Sequence, residues 1–117
     1  MVESGIRTIV ETYLKTLARN GVVVTCGIIF GSQAKGNAGV WSDIDLLIVS
    51  PKFDVVSGRA DINLLWRLAA RTDSRIEPIP CGEKQWLEDD SSPIIEIVRR
   101  EGEVVTLTPE PMAHKRA

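Results

Sequence analysis

The sequence contains few of the residues that build disulfide-rich or zinc-binding proteins. Its 117 residues include two cysteines and one histidine. Cys26 and Cys81 lie far apart, and neither belongs to a CxxC motif or a Cys/His cluster. This pattern argues against a structural zinc site. One disulfide stays open on count alone, but two incidental thiols of a cytoplasmic protein are the favoured interpretation.

Long apolar runs and an excess of one charge are also absent. The longest apolar runs, near residues 22–30 and 44–49, are far shorter than the ~20 residues that a helix needs to cross a bilayer. Residues 1–6 lack the basic and apolar regions of a signal peptide. The net charge of −2 gives no general attraction for phosphate backbones, although the sequence leaves a local basic patch open. We expect a cytoplasmic protein without membrane contact or strong nucleic-acid binding.

What is present is the balance of an ordinary folded domain. Hydrophobic residues make up 44% and charged residues 26% of the chain, which argues against intrinsic disorder. The length fits one domain, with or without a tail. We predict a domain over residues 1–108 and a flexible C-terminal tail over residues 109–117, which begins with two closely spaced prolines.

Helical patterns occur in three segments. An apolar spacing of three and four residues predicts a first helix, capped by Ser4 and ended by Asn20-Gly21. Two later helices are predicted over residues 59–71 and 92–100, the second capped by Ser92. Their inward-facing residues are expected to be Ile62, Leu65, Trp66 and Ala69 in the first, and Ile94, Ile95, Ile97 and Val98 in the second.

Apolar, β-branched segments predict four strands between and after these helices. They cover residues 22–30, 44–49, 75–80 and 104–107. The first two are apolar on both faces, as in buried strands. Because Pro78 has no N–H to donate, the third strand is expected either to lie at a sheet edge or to end there. The alternation predicts an α/β (α+β) fold, a small mixed β-sheet with helices packed mainly on one face.

The loop that follows the first strand has the composition of a phosphate-binding turn. Gly31 permits a tight turn and a close approach of backbone N–H groups to an anion. Ser32 adds a hydroxyl donor, and Lys35 adds a positive charge. Lys35 as a solvated loop residue is an equally open interpretation.

Two carboxylates precede and begin the second strand. Asp43 and Asp45 are two positions apart, so on an extended chain both project to one side. Two close carboxylates repel unless a cation or a proton intervenes. Oxygen ligands favour Mg²⁺ or Mn²⁺ over zinc. A phosphate turn beside a carboxylate metal site predicts nucleotidyl transfer, in which a second metal ~3.5–4 Å from the first activates the attacking oxygen.

A second metal needs a third carboxylate, and Glu77 is the candidate. It lies in a short strand that is expected to pair beside the strand of Asp45. There it would bind metal and act as general base on an incoming hydroxyl. The alternative is a solvated acid on an edge strand.

These motifs, Gly31-Ser32 followed by Asp43-Ile-Asp45 between two apolar strands, resemble the nucleotidyltransferase domain of the DNA polymerase β superfamily. The chain also resembles the minimal nucleotidyltransferases, and the resemblance covers nearly all of it. By position, the resemblance implies that Gly31 and Ser32 hold the triphosphate and that Asp43, Asp45 and Glu77 hold Mg²⁺ or Mn²⁺. The family more often has Asp where Glu77 stands.

The resemblance also implies the remaining binding residues and the substrates. Lys35, Gly36 and Ser42 are assigned to nucleotide binding, although the family more often has Arg where Lys35 stands. Lys keeps the charge but loses the bidentate fork of a guanidinium. The implied reaction moves a nucleoside monophosphate, AMP if the substrate is ATP, from a nucleoside triphosphate to a hydroxyl acceptor.

Members of this group often pair with a helical HEPN-type protein, in which case the nucleotidyltransferase is the antitoxin. The acceptor is then expected on that partner. Two alternatives remain: an antitoxin that neutralises its partner by contact without catalysis, and the catalytic subunit of a small-molecule, antibiotic nucleotidyltransferase.

Trp41 either stacks on a nucleobase or, as favoured here, packs its loop.

Overall fold

The computed structural model describes residues 2–55 and 58–107. The predicted tail, residues 109–117, lies outside the described residues. Helices and strands alternate in the described part, except that two helices follow one another after the third strand. In chain order they are α1 (Ser4–Arg19), β1 (Cys26–Phe30), α2 (Ser32–Lys35), β2 (Ile44–Ser50), a 3₁₀ turn (Pro51–Asp54), α3 (Arg59–Thr72), β3 (Ile76–Gly82), α4 (Glu83–Glu88), α5 (Pro93–Glu101) and β4 (Glu103–Val105).

The four strands form one mixed sheet in the order β3-β2-β1-β4. β1 runs antiparallel to both β2 and β4, whereas β2 and β3 are parallel. Pro78 lies on β3, which is an edge strand, as predicted. Because a proline offers no N–H to a neighbouring strand, the edge position removes that cost.

The two long helices cover one face of the sheet. In α1 the buried side chains recur at three- and four-residue steps, and they are Ile6, Val10, Tyr13, Leu14 and Leu17. They pack with the buried face of α3 and with β1 and β2 side chains in one cluster. The Tyr13 hydroxyl, buried in this layer, donates a hydrogen bond of 2.9 Å to the Leu65 carbonyl. This bond satisfies the polar end of an otherwise apolar contact.

Two short helices cover the other face. Ile95 and Val98 of α5 are buried against β1 and β2 side chains, and Trp86 of α4 is partly buried there. The mixed α/β class is therefore confirmed, with the larger helices on one face. Cys26 and Cys81 are free and buried in this second layer. They flank Val49, two strand spacings or about 9.6 Å apart, which is too far for a disulfide.

Several predicted boundaries are wrong. Glu3, not Ser4, occupies the cap position of α1. Ser92 occupies the cap position of α5 as predicted, but neither cap residue makes a side-chain capping bond. The first strand begins at Cys26 because Val22 packs in the helical core and Val23 is 67% exposed. Helix α4 was not predicted from the sequence.

The sequence analysis predicted more buried residues on α3 and α5 than the structure has. Ile62 and Trp66 on α3 are exposed, and so are Ile94 and Ile97 on α5. Each helix forms the outer layer of a small domain and buries only a narrow stripe of side chains. Apolar residues at the margin of that stripe stay in contact with water.

Candidate active site

The sheet face covered by α4 and α5 presents three rows of side chains across β1, β2 and β3. Strand register and the alternation of side chains define these rows. Two apolar rows consist of Cys26, Val49 and Cys81, and of Ile28, Leu47 and Ile79. The third, which we call the acidic row, consists of Phe30, Asp45 and Glu77. The acidic row lies at the end of the sheet where β1 runs into α2.

Gly31 joins β1 to α2 in a backbone conformation that only glycine adopts readily. Its φ is +73° and its ψ is −150°. A Cβ at this position would overlap Oδ2 of Asp45. The dihedral angles therefore favour glycine at position 31, and a side chain there would in addition force the Asp45 carboxylate to move. The sequence prediction anticipated the turn but not this contact.

Ser32 begins α2, a single helical turn. The first N–H groups of a helix have no intrahelical acceptor, so those of Ser32 and Gln33 are oriented for a ligand oxygen or water. The Gly31 carbonyl accepts a bond of 3.2 Å from the Lys35 N–H. Gly36 ends the turn in the left-handed region, with φ +77°. The Gly31–Gly36 segment is thus a tight bend next to Asp45.

The candidate carboxylates approach one another. Asp45 is half-buried, and burial together with the charge of Asp43 raises its pKa. Hydrogen bonding between the Glu77 and Asp43 carboxyl groups raises the pKa of Glu77, with smaller contributions from burial and from the charges of Asp43 and Asp45. Asp45 and Glu77 are also register partners on adjacent strands. The three acids therefore form one electrostatic group, in which each negative charge makes the next more costly.

The donor set suits a hard divalent cation, because it consists of carboxylate oxygens alone. Within residues 2–55 and 58–107, however, no three Asp, Glu, His or Cys side chains converge closely enough to complete a metal site. Mg²⁺ in nucleotide enzymes is commonly held by one or two carboxylates, with substrate phosphates and water filling the other positions. The residues present fit that arrangement better than a cage made only of protein ligands.

The remaining predicted residues have partners of their own. Lys35 is exposed and forms an ion pair of 3.6 Å with Glu101 at the end of α5. Ser42 Oγ accepts a hydrogen bond of 2.8 Å from the Gly39 N–H, which closes the loop before β2. Trp41 is 88% exposed, so the prediction that it packs the loop is wrong.

Two residues that the sequence analysis missed hold this loop in place. Gln33 Nε2 donates to the carbonyls of Ser42 and Asp43, at 3.3 and 3.4 Å. Arg75 Nη1 donates to the Val40 carbonyl at 3.1 Å, while its guanidinium is fixed by Asp73. The motif Asp73-x-Arg75 before a strand was the available signal for the second contact. The first had no sequence signal beyond a polar residue inside the bend.

An open cleft of about 1190 Å³ lies beside the same loop. Its lining includes the first turn of α1, Gln33, Val40 and Arg75, but none of the three candidate carboxylates. The cleft and the acidic row are therefore separate features that share the loop as a wall.

No helix of the described residues is long and apolar enough to cross a membrane.

Comparisons with known proteins agree with the fold. The sequence pattern of a nucleotidyltransferase domain matches residues 9–106. A chain from a crystal structure of a toxin–antitoxin with AMP-PNP has a similar fold, with a TM-score of 0.58 and 21% sequence identity. The match covers 84% of this chain and 73% of that one. No protein of curated function matches the sequence.

Proposed function

Because the chain belongs to the nucleotidyltransferase domain family, we propose that it transfers a nucleoside monophosphate from a nucleoside triphosphate to a hydroxyl on a partner protein. The expected donor is ATP and the transferred group AMP. The expected setting is a toxin–antitoxin pair, in which this chain is the antitoxin and a helical HEPN-type protein is the toxin.

One observation carries the proposal: the Gly31–Gly36 bend and the acidic group Asp43, Asp45 and Glu77 meet at one end of the sheet. The contact between Gly31 and Asp45 joins the two parts directly. Three acids with two raised pKa values are an unfavourable arrangement for an unliganded protein. A site that binds a cation and a polyphosphate explains why such an arrangement is kept.

Asp43 and Asp45 would hold Mg²⁺ or Mn²⁺, with Glu77 as the third ligand. When bound, the cation neutralises triphosphate charge and polarises the α-phosphate. The backbone N–H groups at Ser32 and Gln33 would hold phosphate oxygens. Lys35 would have to leave its weak, exposed ion pair with Glu101 to contribute. Neither Gly36 nor Ser42 needs to touch the nucleotide directly, since both can shape the site as part of the loop.

In the proposed reaction the acceptor oxygen attacks the α-phosphorus. The bond from that phosphorus to the bridging oxygen breaks, and pyrophosphate leaves with the bonding electrons. Glu77 takes the proton of the acceptor hydroxyl. Its place beside Asp45 at the exposed end of the sheet puts a carboxylate where such a proton could be taken.

A macromolecular acceptor is consistent with the exposure of the site. Asp43 is exposed, so a hydroxyl on a large partner has access to the acidic group. The similar fold of a chain from a toxin–antitoxin structure with AMP-PNP supports the same setting.

The test uses ATP labelled at the α-phosphate, Mg²⁺ and the protein encoded beside this chain in its native genome. We expect label on the partner with the wild type, and a loss of more than about 100-fold with Asp43→Asn or Asp45→Asn, since even outer partners of metal ligands are worth 10–100-fold. Circular dichroism should report an unchanged fold for both variants. Undiminished labelling by the double variant would overturn the assignment.

A binding-only antitoxin is the second candidate. The lack of three converging ligands among the described residues favours it. Calorimetry separates the two: a binding module has no Mg²⁺-dependent affinity for ATP, yet binds its partner unchanged after the same aspartate substitutions.

A further inference from the structure

We propose that Gln33 is a positioning residue that fixes Asp43 against the Gly31–Gly36 bend. The inference rests on the proposed function and extends it. The Gln33 side chain carries no charge and does not contact the reacting atoms. Its proposed role is to hold Asp43, the outermost carboxylate of the site, in place.

Burial makes Gln33 unusual among polar residues of this protein. It is 6% exposed, and only Ser50 shares this status among the polar and charged residues of the described part. Burying an amide is costly unless it is hydrogen-bonded. Its Nε2 group donates to two successive carbonyls, those of Ser42 and Asp43. The amide therefore links the bend to the segment that carries the acid.

The peptide unit between Asp43 and Ile44 is held from both sides. Its carbonyl accepts from Gln33 Nε2 at 3.4 Å, and its N–H donates to the Arg75 carbonyl at 2.8 Å. Fixing a peptide plane fixes a backbone dihedral of the residue before it. Asp43 has an exposed side chain with no strand pairing of its own, so this backbone restraint limits where its carboxylate can lie.

The other side-chain restraints on the loop act further from Asp43. Arg75 Nη1 contacts Val40, and Ser42 Oγ contacts Gly39. They shape the turn, whereas Gln33 contacts the peptide of the acid itself. Without the amide, the turn would persist but Asp43 would sample more orientations. A bound cation would then have to order it, which lowers affinity.

The experiment measures nucleotide affinity by calorimetry, with a non-hydrolysable ATP analogue titrated in the presence and absence of Mg²⁺. Gln33→Met keeps the size of the side chain and removes the donor. The matched control is Gln85→Met on α4, where the amide is exposed and contacts Asp89. Gln33→Asn, which is polar but one methylene shorter, serves as a second variant in case the methionine variant does not fold.

We expect the Mg²⁺-dependent part of the affinity to fall on the order of tenfold in the Gln33 variants, as for other residues that orient metal ligands. The Gln85→Met protein should match the wild type in both conditions, and in the Gln33 variants the loss should be larger with Mg²⁺ than without it. A merely structural role would instead lower the affinity equally in both conditions, and that result overturns the inference. So does a folded Gln33 variant with unchanged Mg²⁺-dependent affinity. If the wild type itself has no such affinity, the proposed function fails and the inference fails with it.

Discussion

The acidic row and the two apolar rows occupy the same face of the same three strands, yet their environments differ sharply. The apolar rows are covered by α5 and α4, and their central residues, Leu47 and Val49, are almost fully buried. Asp45, two residues before Leu47 on β2, is half-buried, and its pKa is raised by burial and by the charge of Asp43. The covered part of the face stabilises the fold. The end of the face beyond the helices carries charges that the fold alone does not stabilise.

Backbone pairing and site chemistry are therefore separable in this sheet. All three rows have regular register from β1 through β3. Only the identity of the side chains and the cover above them changes.

Leu47→Ala should destabilise the protein by about 2–5 kcal/mol, because it leaves a cavity in a closely packed layer. Leu47 is 2% exposed and central to its row. Chemical denaturation measures the loss. At temperatures where the variant is still folded, its Mg²⁺-dependent nucleotide affinity should equal that of the wild type. Impaired nucleotide binding by the folded variant would mean that the apolar rows take part in the site.

Gly31→Ala should destabilise by about 1–3 kcal/mol, since it places a side chain in a glycine-only conformation. It should also displace the Asp45 carboxylate and weaken nucleotide binding. Gly21→Ala is the matched control: its φ is +90°, but a Cβ there meets nothing within 4 Å. Both glycines have a positive φ, but only Gly31→Ala should alter the site. Equal nucleotide affinity in the two variants would contradict the contact with Asp45.

The smallest expected effect is a pH dependence of stability. A carboxyl whose pKa is raised by folding stabilises the folded state below its unfolded pKa, and this contribution is lost as pH rises through the folded pKa. For Asp45 and Glu77 both shifts have this sign. In the presence of a metal chelator, the free energy of unfolding of the wild type should therefore fall relative to that of Asp45→Asn as the pH rises above about 4.

Thermal unfolding of both proteins between pH 4 and pH 7 measures this difference. Under the proposed function, Mg²⁺ should reduce it, because a cation favours the ionised acids. Parallel curves for wild type and variant would mean that the acidic group carries no strain.

Much of this fold follows from local patterns. The apolar spacing in α1 predicted its length, and Asn20-Gly21 predicted its end. Pro78 predicted an edge strand. Errors arose where an apolar residue can belong either to the core or to the surface. Val23 and Trp66 were predicted to be buried, and both are exposed. A sequence pattern reports hydrophobicity, whereas burial depends on which neighbours cover a residue.

For the candidate site, the sequence by itself indicated the proposed chemistry: a glycine-serine bend followed by two acids two positions apart, an indication that depends only on residue type and short spacing. Tertiary structure decided the rest. The register of β2 with β3 placed Glu77 beside Asp45, and the closure of α2 onto the loop placed the Gln33 amide against the Asp43 peptide. The first contact joins segments that are distant along the chain, and the second joins two nearby segments that fold back on each other. Such contacts depend on how the layers pack, which no local pattern encodes.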